Sequence, residues 1–166
     1  MDIASAIAGI LSLSDTIITR GTKYYQAVNG AQKEINGLML EVSVLAGILG
    51  QLRLRVLWYS QEMKDFSSSI QDNHITSCDA ILAELRIRLE KADTCGDSFA
   101  HRLMSNLIWP FTKFETEDMV AKLQRIKSDL AMALNADSLA GILKVLSIQE
   151  GLVVPTIDDI HTGQQI

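Results

Sequence analysis

Residues 35–56 read INGLMLEVSVLAGILGQLRLRV, and this stretch decides the fold class. Its apolar residues Ile35, Leu38, Val42, Leu45, Leu49, Leu52 and Val56 recur at intervals of three and four. That spacing lays them along one face of an α-helix. It returns at Ile75, Cys78, Leu82, Leu85, Leu89 and Ala92, and again at Met119, Leu123, Ile126, Leu130 and Ala133, with Leu134 beside the last. Charges fill the positions between: Glu84, Arg86, Arg88 and Glu90 on one helix, Lys122, Arg125, Lys127 and Asp129 on another. Three such helices need a shared core, so the expectation is an all-α, multi-helix bundle of four-helix type. Short connections favour antiparallel neighbours. Leu45, Leu49, Leu85, Trp109, Leu123, Ile126 and Leu130 are the expected core.

Composition agrees with that reading. Two prolines and ten glycines in 166 residues leave long stretches without a breaker, which disfavours sandwiches and barrels. A hydrophobic content of 48% excludes wholesale disorder. The net charge of −5, with 15 dispersed basic residues, lacks the basic patch of a nucleic-acid binder. Cys78 and Cys95 form neither a disulfide framework nor a zinc pattern, which points to a reducing compartment, the cytosol. No nucleophile elbow, phosphate loop or His/Cys metal cluster occurs, and His74, His101 and His161 are scattered. The expectation is therefore a non-enzyme without cofactor, metal or small-molecule substrate.

Local chemistry suggests the boundaries. Asn29-Gly30 supplies a turn, and Thr112-x-x-Glu115 reads as a capping box opening a long helix. Asn135 is expected to end that helix. Asp137 is expected to cap an additional C-terminal helix carrying Leu139, Ile142, Leu143 and Leu146. Residues 60–73 and 93–97 are expected loops. Trp109-Pro110-Phe111 stops a short helix over 102–108, and Trp109 should fold back on the bundle. Past Glu150 the pattern dies, which divides the chain into a bundle at 1–149 and a mobile tail or linker at 150–166. Of the aromatic pairs, Tyr24-Tyr25 and Trp58-Tyr59 read as core lids, and Arg53-x-Arg55 and Arg86-x-Arg88 as solvated faces.

The first helix, expected from Ile3 to about Val28, differs from the others. Residues 3–14 are uncharged and mainly apolar, but span only about 18 Å as a helix, against roughly 30 Å of bilayer hydrocarbon. With Asp15 interrupting the run, the folded chain is expected to be soluble. Ala4, Ala8 and Ser12 fall four apart, with Ser5 and Gly9 beside them, and Ser43/Gly47 and Ala46/Gly50 repeat the spacing. Small residues at this spacing let helix backbones approach. The first helix is thus expected to be the central strut, with Ala8 and Gly9 on its tight face.

The opening Met1-Asp2-x-x-Ser5-x-Ile7-Ala8-Gly9-Ile10-Leu11-Ser12-Leu13 resembles the start of the fungal HeLo-like domain. The resemblance continues through Tyr24, Val28, Ala31, Ile35, Glu41-Val42, Leu45 and Leu49. It is most specific at Trp109-Pro110-Phe111, followed by Glu115-Thr116, Leu123, Lys127-Ser128, Ala133-Leu134 and Ala136-Asp137-Ser138. It covers about residues 1–146. Such domains stand at the N-terminus of fungal NLR-type (STAND) proteins and their cell-death effectors. They are similar to the four-helix executioner domain of the mixed-lineage kinase-like necroptosis protein.

The resemblance implies a helical bundle that executes regulated cell death in heterokaryon incompatibility and immunity. It implies a protein that is cytoplasmic when inactive and at the plasma membrane on activation. Its implied partners are membrane lipids with anionic headgroups, further copies of itself, and an NLR-type receptor sharing an amyloid signalling motif. Gly163-Gln164-Gln165-Ile166 is compatible with the start of such a motif. The implied membrane-targeting residues are Ile3, Ala4, Ile7, Ala8, Gly9, Ile10, Leu11 and Leu13. Two readings stay open: a membrane-permeabilising executioner, and a non-lytic oligomerisation or adaptor domain.

Overall fold

The computed structural model describes residues 3–28, 30–62, 69–94 and 109–158. Among these residues every regular element is an α-helix: α1 (Ile3–Ala27), α2 (Gln32–Glu62), α3 (Asp72–Thr94) and α4 (Lys113–Asp158).

The helix ends follow from local chemistry. Gly30 sits at φ +97°, in the left-handed region open to glycine, and turns the chain from α1 into α2. Gln32 secures the turn: its amide nitrogen donates to the Val28 carbonyl at 2.8 Å, and its side-chain oxygen accepts from the Gly30 N–H at 3.0 Å. At the start of α4 the capping box forms. The Glu115 N–H donates to Thr112 Oγ1 at 3.2 Å, and the Thr112 N–H donates back to Glu115 Oε2 at 2.8 Å.

Packing joins the three sequence seams with one face of α1 in a single core. Leu45, Leu49, Leu85, Leu123 and Leu130 are fully buried, and Trp109 and Ile126 nearly so. Each helix has two neighbours, so the order around the bundle is α1, α2, α4, α3, with α1 diagonal to α4. Cross-helix ties set the directions. Arg20 pairs with Glu90 at 3.4 Å and the Tyr24 hydroxyl donates to the Leu89 carbonyl at 3.2 Å, so α1 and α3 run parallel. Lys127 pairs with Glu41, and Arg55 Nη1 donates to the Leu134 carbonyl at 3.1 Å, so α2 and α4 run parallel too. The antiparallel neighbours are α1 with α2 and α3 with α4, the latter joined by Arg88 and Glu115 at 3.0 Å.

This topology corrects several expectations. The connection from α2 to α3 joins diagonal helices, so short loops do not make every neighbour antiparallel. α1 is one of four corners, not a central strut. Helix replaces part of each expected loop: α2 runs to Glu62, α3 begins at Asp72 and runs to Thr94. α4 passes through residues 135–137 without a break, so Asn135 ends nothing and Asp137 caps nothing. Asp137 is buried, and its Oδ1 accepts from the Ser69 N–H at 2.6 Å. A carboxylate already satisfied by a neighbouring segment has no need to cap a new helix. Helix also continues to Asp158, past the expected start of the tail. The expected short helix at 102–108 and the last eight residues lie outside the described residues.

Candidate membrane-active helix and its end of the bundle

α1 buries Ala4, Ile7, Ile10, Ser14, Ile17, Gly21 and Tyr24, a stripe at helical spacing against α2 and α3. Ile3, Leu11 and Leu13 are half-buried and packed beside that stripe, and Ala8 is half-buried too. Gly9 is exposed, with Ser5 and Ser12 on the same outward side. A side chain added at Gly9 would meet nothing within 4 Å, and the same holds at Gly47 and Gly50. The expected tight face of Ala8 and Gly9 is thus corrected: Gly9 looks outward, Ala8 is only half-buried, and the close contact is at Gly21.

Three hydroxyls of α1 are satisfied by α1 itself. Ser14 Oγ donates to the Ile10 carbonyl at 2.9 Å, Thr16 to Ser12 at 3.0 Å and Thr22 to Ile18 at 2.9 Å. Such back-bonding lowers the cost of moving a hydroxyl into an apolar medium. The charged residues Asp15, Arg20 and Lys23 border one shallow outer groove of about 400 Å³. With 25 residues, α1 is about 37 Å long, so the helix reaches across a bilayer core although its uncharged run does not. α1, residues 32–57 and residues 113–147 are all long and apolar enough to cross a membrane by length and composition.

The upper end of the bundle, where α1 finishes, is held by aromatic packing. Trp109 meets Tyr24 edge-on at 5.7 Å between centroids and lies 5.1 Å from Phe111. The Trp109 indole N–H donates to Thr116 Oγ1 at 3.3 Å. Arg88 spreads over the Phe111 ring at 5.3 Å and bonds both Glu84 and Glu115 at 3.0 Å. Arg88 therefore does more than decorate a solvated face. Its charge, after the Thr112 hydrogen bonds, helps hold the Glu115 carboxyl below the usual range. Of the expected core lids, Tyr24 is fully buried, but Tyr25 is about half-exposed, and the Trp58 and Tyr59 side chains lie outside the described residues.

The lower end, where α1 begins, is more open. Counting back from Tyr24, Ile3 lies about 31 Å down the helix, level with about Ala136 of α4. Arg55 of α2 clasps α4 here, bonding the Leu134 carbonyl and the Ser138 hydroxyl. Around and below that clasp Leu54, Leu57, Leu139, Ile142, Leu143, Val145 and Leu146 are exposed. The start of the candidate helix and this apolar surface thus share one end of the molecule. The expected solvated face at Arg53-x-Arg55 is corrected at Arg55, and the sequence does not single out Leu54, because residue spacing does not reveal which charge finds a carbonyl on another helix.

Among the described residues no three His, Cys, Asp or Glu side chains converge as a metal site would require. No protein-family model, curated protein or solved structure matches this chain.

Proposed function

We propose that this chain is a membrane-targeting, cell-death-inducing domain of a fungal NLR-linked incompatibility or immunity system. Its residues 1–149 form the active bundle, and residues 150–166 lead toward a signalling motif. In this reading the bundle waits in the cytoplasm until a receptor with a related amyloid motif gathers several copies. α1 then leaves its corner and enters the plasma membrane, and the assembled copies permeabilise it without catalysis.

The observation that carries this reading is the double character of α1. The helix is long enough to cross a bilayer, and the hydroxyls of Ser14, Thr16 and Thr22 bond within the helix. It also stands at a corner of the bundle, with two neighbours to leave rather than three. Asp15 opposes insertion of one helix alone, so the polar side of α1 faces other copies or a shared lumen. Release is an equilibrium between two packings, and assembly shifts it only through a difference in affinity for the two.

The test is dye leakage from anionic vesicles, by the full chain and by a chain lacking residues 1–20, each with and without forced oligomerisation. Leakage that requires both oligomerisation and residues 1–20 supports the reading. Equal leakage by the two chains removes α1 from the mechanism. A second reading, a non-lytic oligomerisation or adaptor domain of a fungal STAND receptor, draws on the exposed apolar side chains of α4. Folded, oligomerised protein that leaves every vesicle intact favours that alternative.

A further inference from the structure

α4 carries two apolar seams on opposite sides. The inner one, Met119, Leu123, Ile126, Leu130 and Leu134, is buried against α2 and α3. The outer one runs Met132, Ala136, Leu139, Leu143, Leu146, in steps of four, three, four and three, with Ile142 beside it. It faces solvent: Met132 is 66% exposed, Leu139 60%, Leu143 58% and Leu146 49%. Both neighbours of α4 lie on the inner side, so no helix among the described residues covers this second seam.

The character of the seam indicates what covers it. A lipid surface selects a helix with several Lys and Arg along its polar side and Trp, Phe or Leu on its apolar side. Residues 132–147 hold one cation, Lys144, and no aromatic residue. The exposed surface is broad, since Ile142 and Val145 flank Leu139, Leu143 and Leu146, and its heptad-spaced edge is what another helix takes up, knobs into holes. The stripe is also complementary to itself. Lys144 falls off it, and Asp137 points into the bundle, so two copies meet without burying a charge. Two such faces remove roughly 1,000 Å² from water, near the lower bound for a specific interface.

We infer that the outer stripe of α4 is a self-association surface through which two copies of this chain pair helix to helix. The interface is small, so pairing is reversible and strengthens when copies are held close together. It requires no lipid, and therefore stands or falls separately from membrane permeabilisation.

Sedimentation velocity of the purified chain, without lipid and over a range of concentrations, tests this. The parent should form a reversible dimer, and Leu139→Glu with Leu143→Glu should weaken it by at least about tenfold while the helical spectrum is unchanged. Ile87→Glu, at an exposed apolar residue of α3, should leave the dimer intact. A parent that stays monomeric overturns the inference, as does a stripe variant that pairs like the parent or an Ile87 variant that weakens pairing equally. A monomeric parent whose stripe variant loses vesicle binding would make the stripe a lipid contact instead. If the stripe variant fails to fold, amide exchange of the parent decides: slower exchange over residues 132–147 with rising concentration supports the surface, and unchanged exchange overturns it.

Discussion

Met39 of α2 lies over Gly21 of α1 so closely that a Cβ placed on Gly21 would stand 2.7 Å from the Met39 Cγ. This is the close approach between the two helices, although Gly9 stands in the more conspicuous run of small residues. Gly21→Ala has to push the flexible Met39 side chain aside, so it should gain less than the helix benefit of about 1 kcal/mol. Gly9→Ala, in open space, should stabilise it by up to about 1 kcal/mol. A higher urea midpoint for the Gly9 variant than for the Gly21 variant bears out this assignment, and equal midpoints or the reverse order refute it.

Tyr24 offers a gentler way to loosen α1. Tyr24→Phe keeps the edge-on contact with Trp109 but deletes the hydrogen bond to the Leu89 carbonyl, at a cost of about 0.5–1.5 kcal/mol. On the proposed mechanism the variant should leak vesicles at a lower degree of oligomerisation than the parent. Reduced stability with an unmoved leakage threshold would separate α1 release from permeabilisation.

Acid should act through Glu41. Burial raises its pKa, but hydrogen bonds from Lys127 and Gln124, with the Lys127 charge, more than offset this and bring it below 4.5. A carboxylate lowered in the folded state adds stability above its unfolded value, and that stability is lost as pH falls through the folded value. Glu41→Gln should therefore lower the urea midpoint most near neutrality, and the gap to the parent should close below about pH 4.5. A gap that stays constant through the acid range would remove Glu41 from the acid response.

Cys78 should be chemically silent in the folded chain. Burial, with the charge of Asp79, pushes its thiol up to about 12, leaving almost no thiolate at neutral pH. Peptide-level mass spectrometry should find alkylation of Cys78 rising only as urea unfolds the bundle. Rapid labelling in native buffer would contradict its buried place in α3.

Much of the fold is legible in local pattern. The steps from Ile35 to Val56 and from Met119 to Leu134 mark helices, and their inward residues form the core. The capping box at Thr112 and Glu115 is legible because its partners lie three residues apart. The Arg55 clasp on Leu134 is not, since its partners are 79 residues apart and nothing in either neighbourhood names the other. The break expected at Asn135 failed for a related reason. Asn and Asp favour helix ends when their side chains must satisfy their own backbone, but here the Ser69 N–H takes up Asp137.

The sequence by itself determined that this chain is helical, which residues share a helix face, and that its first helix is unusually apolar. Those properties follow from spacing and residue type, which act within a few turns of chain. Tertiary structure alone decided the order of the helices around the core, the outward turn of Gly9, and the side of α4 that is covered. Met119 to Leu134 and Met132 to Leu146 obey the same spacing, yet only the first is buried. Periodicity creates an apolar face, but whether that face meets α2, α3 or water depends on where the distant helices come to lie.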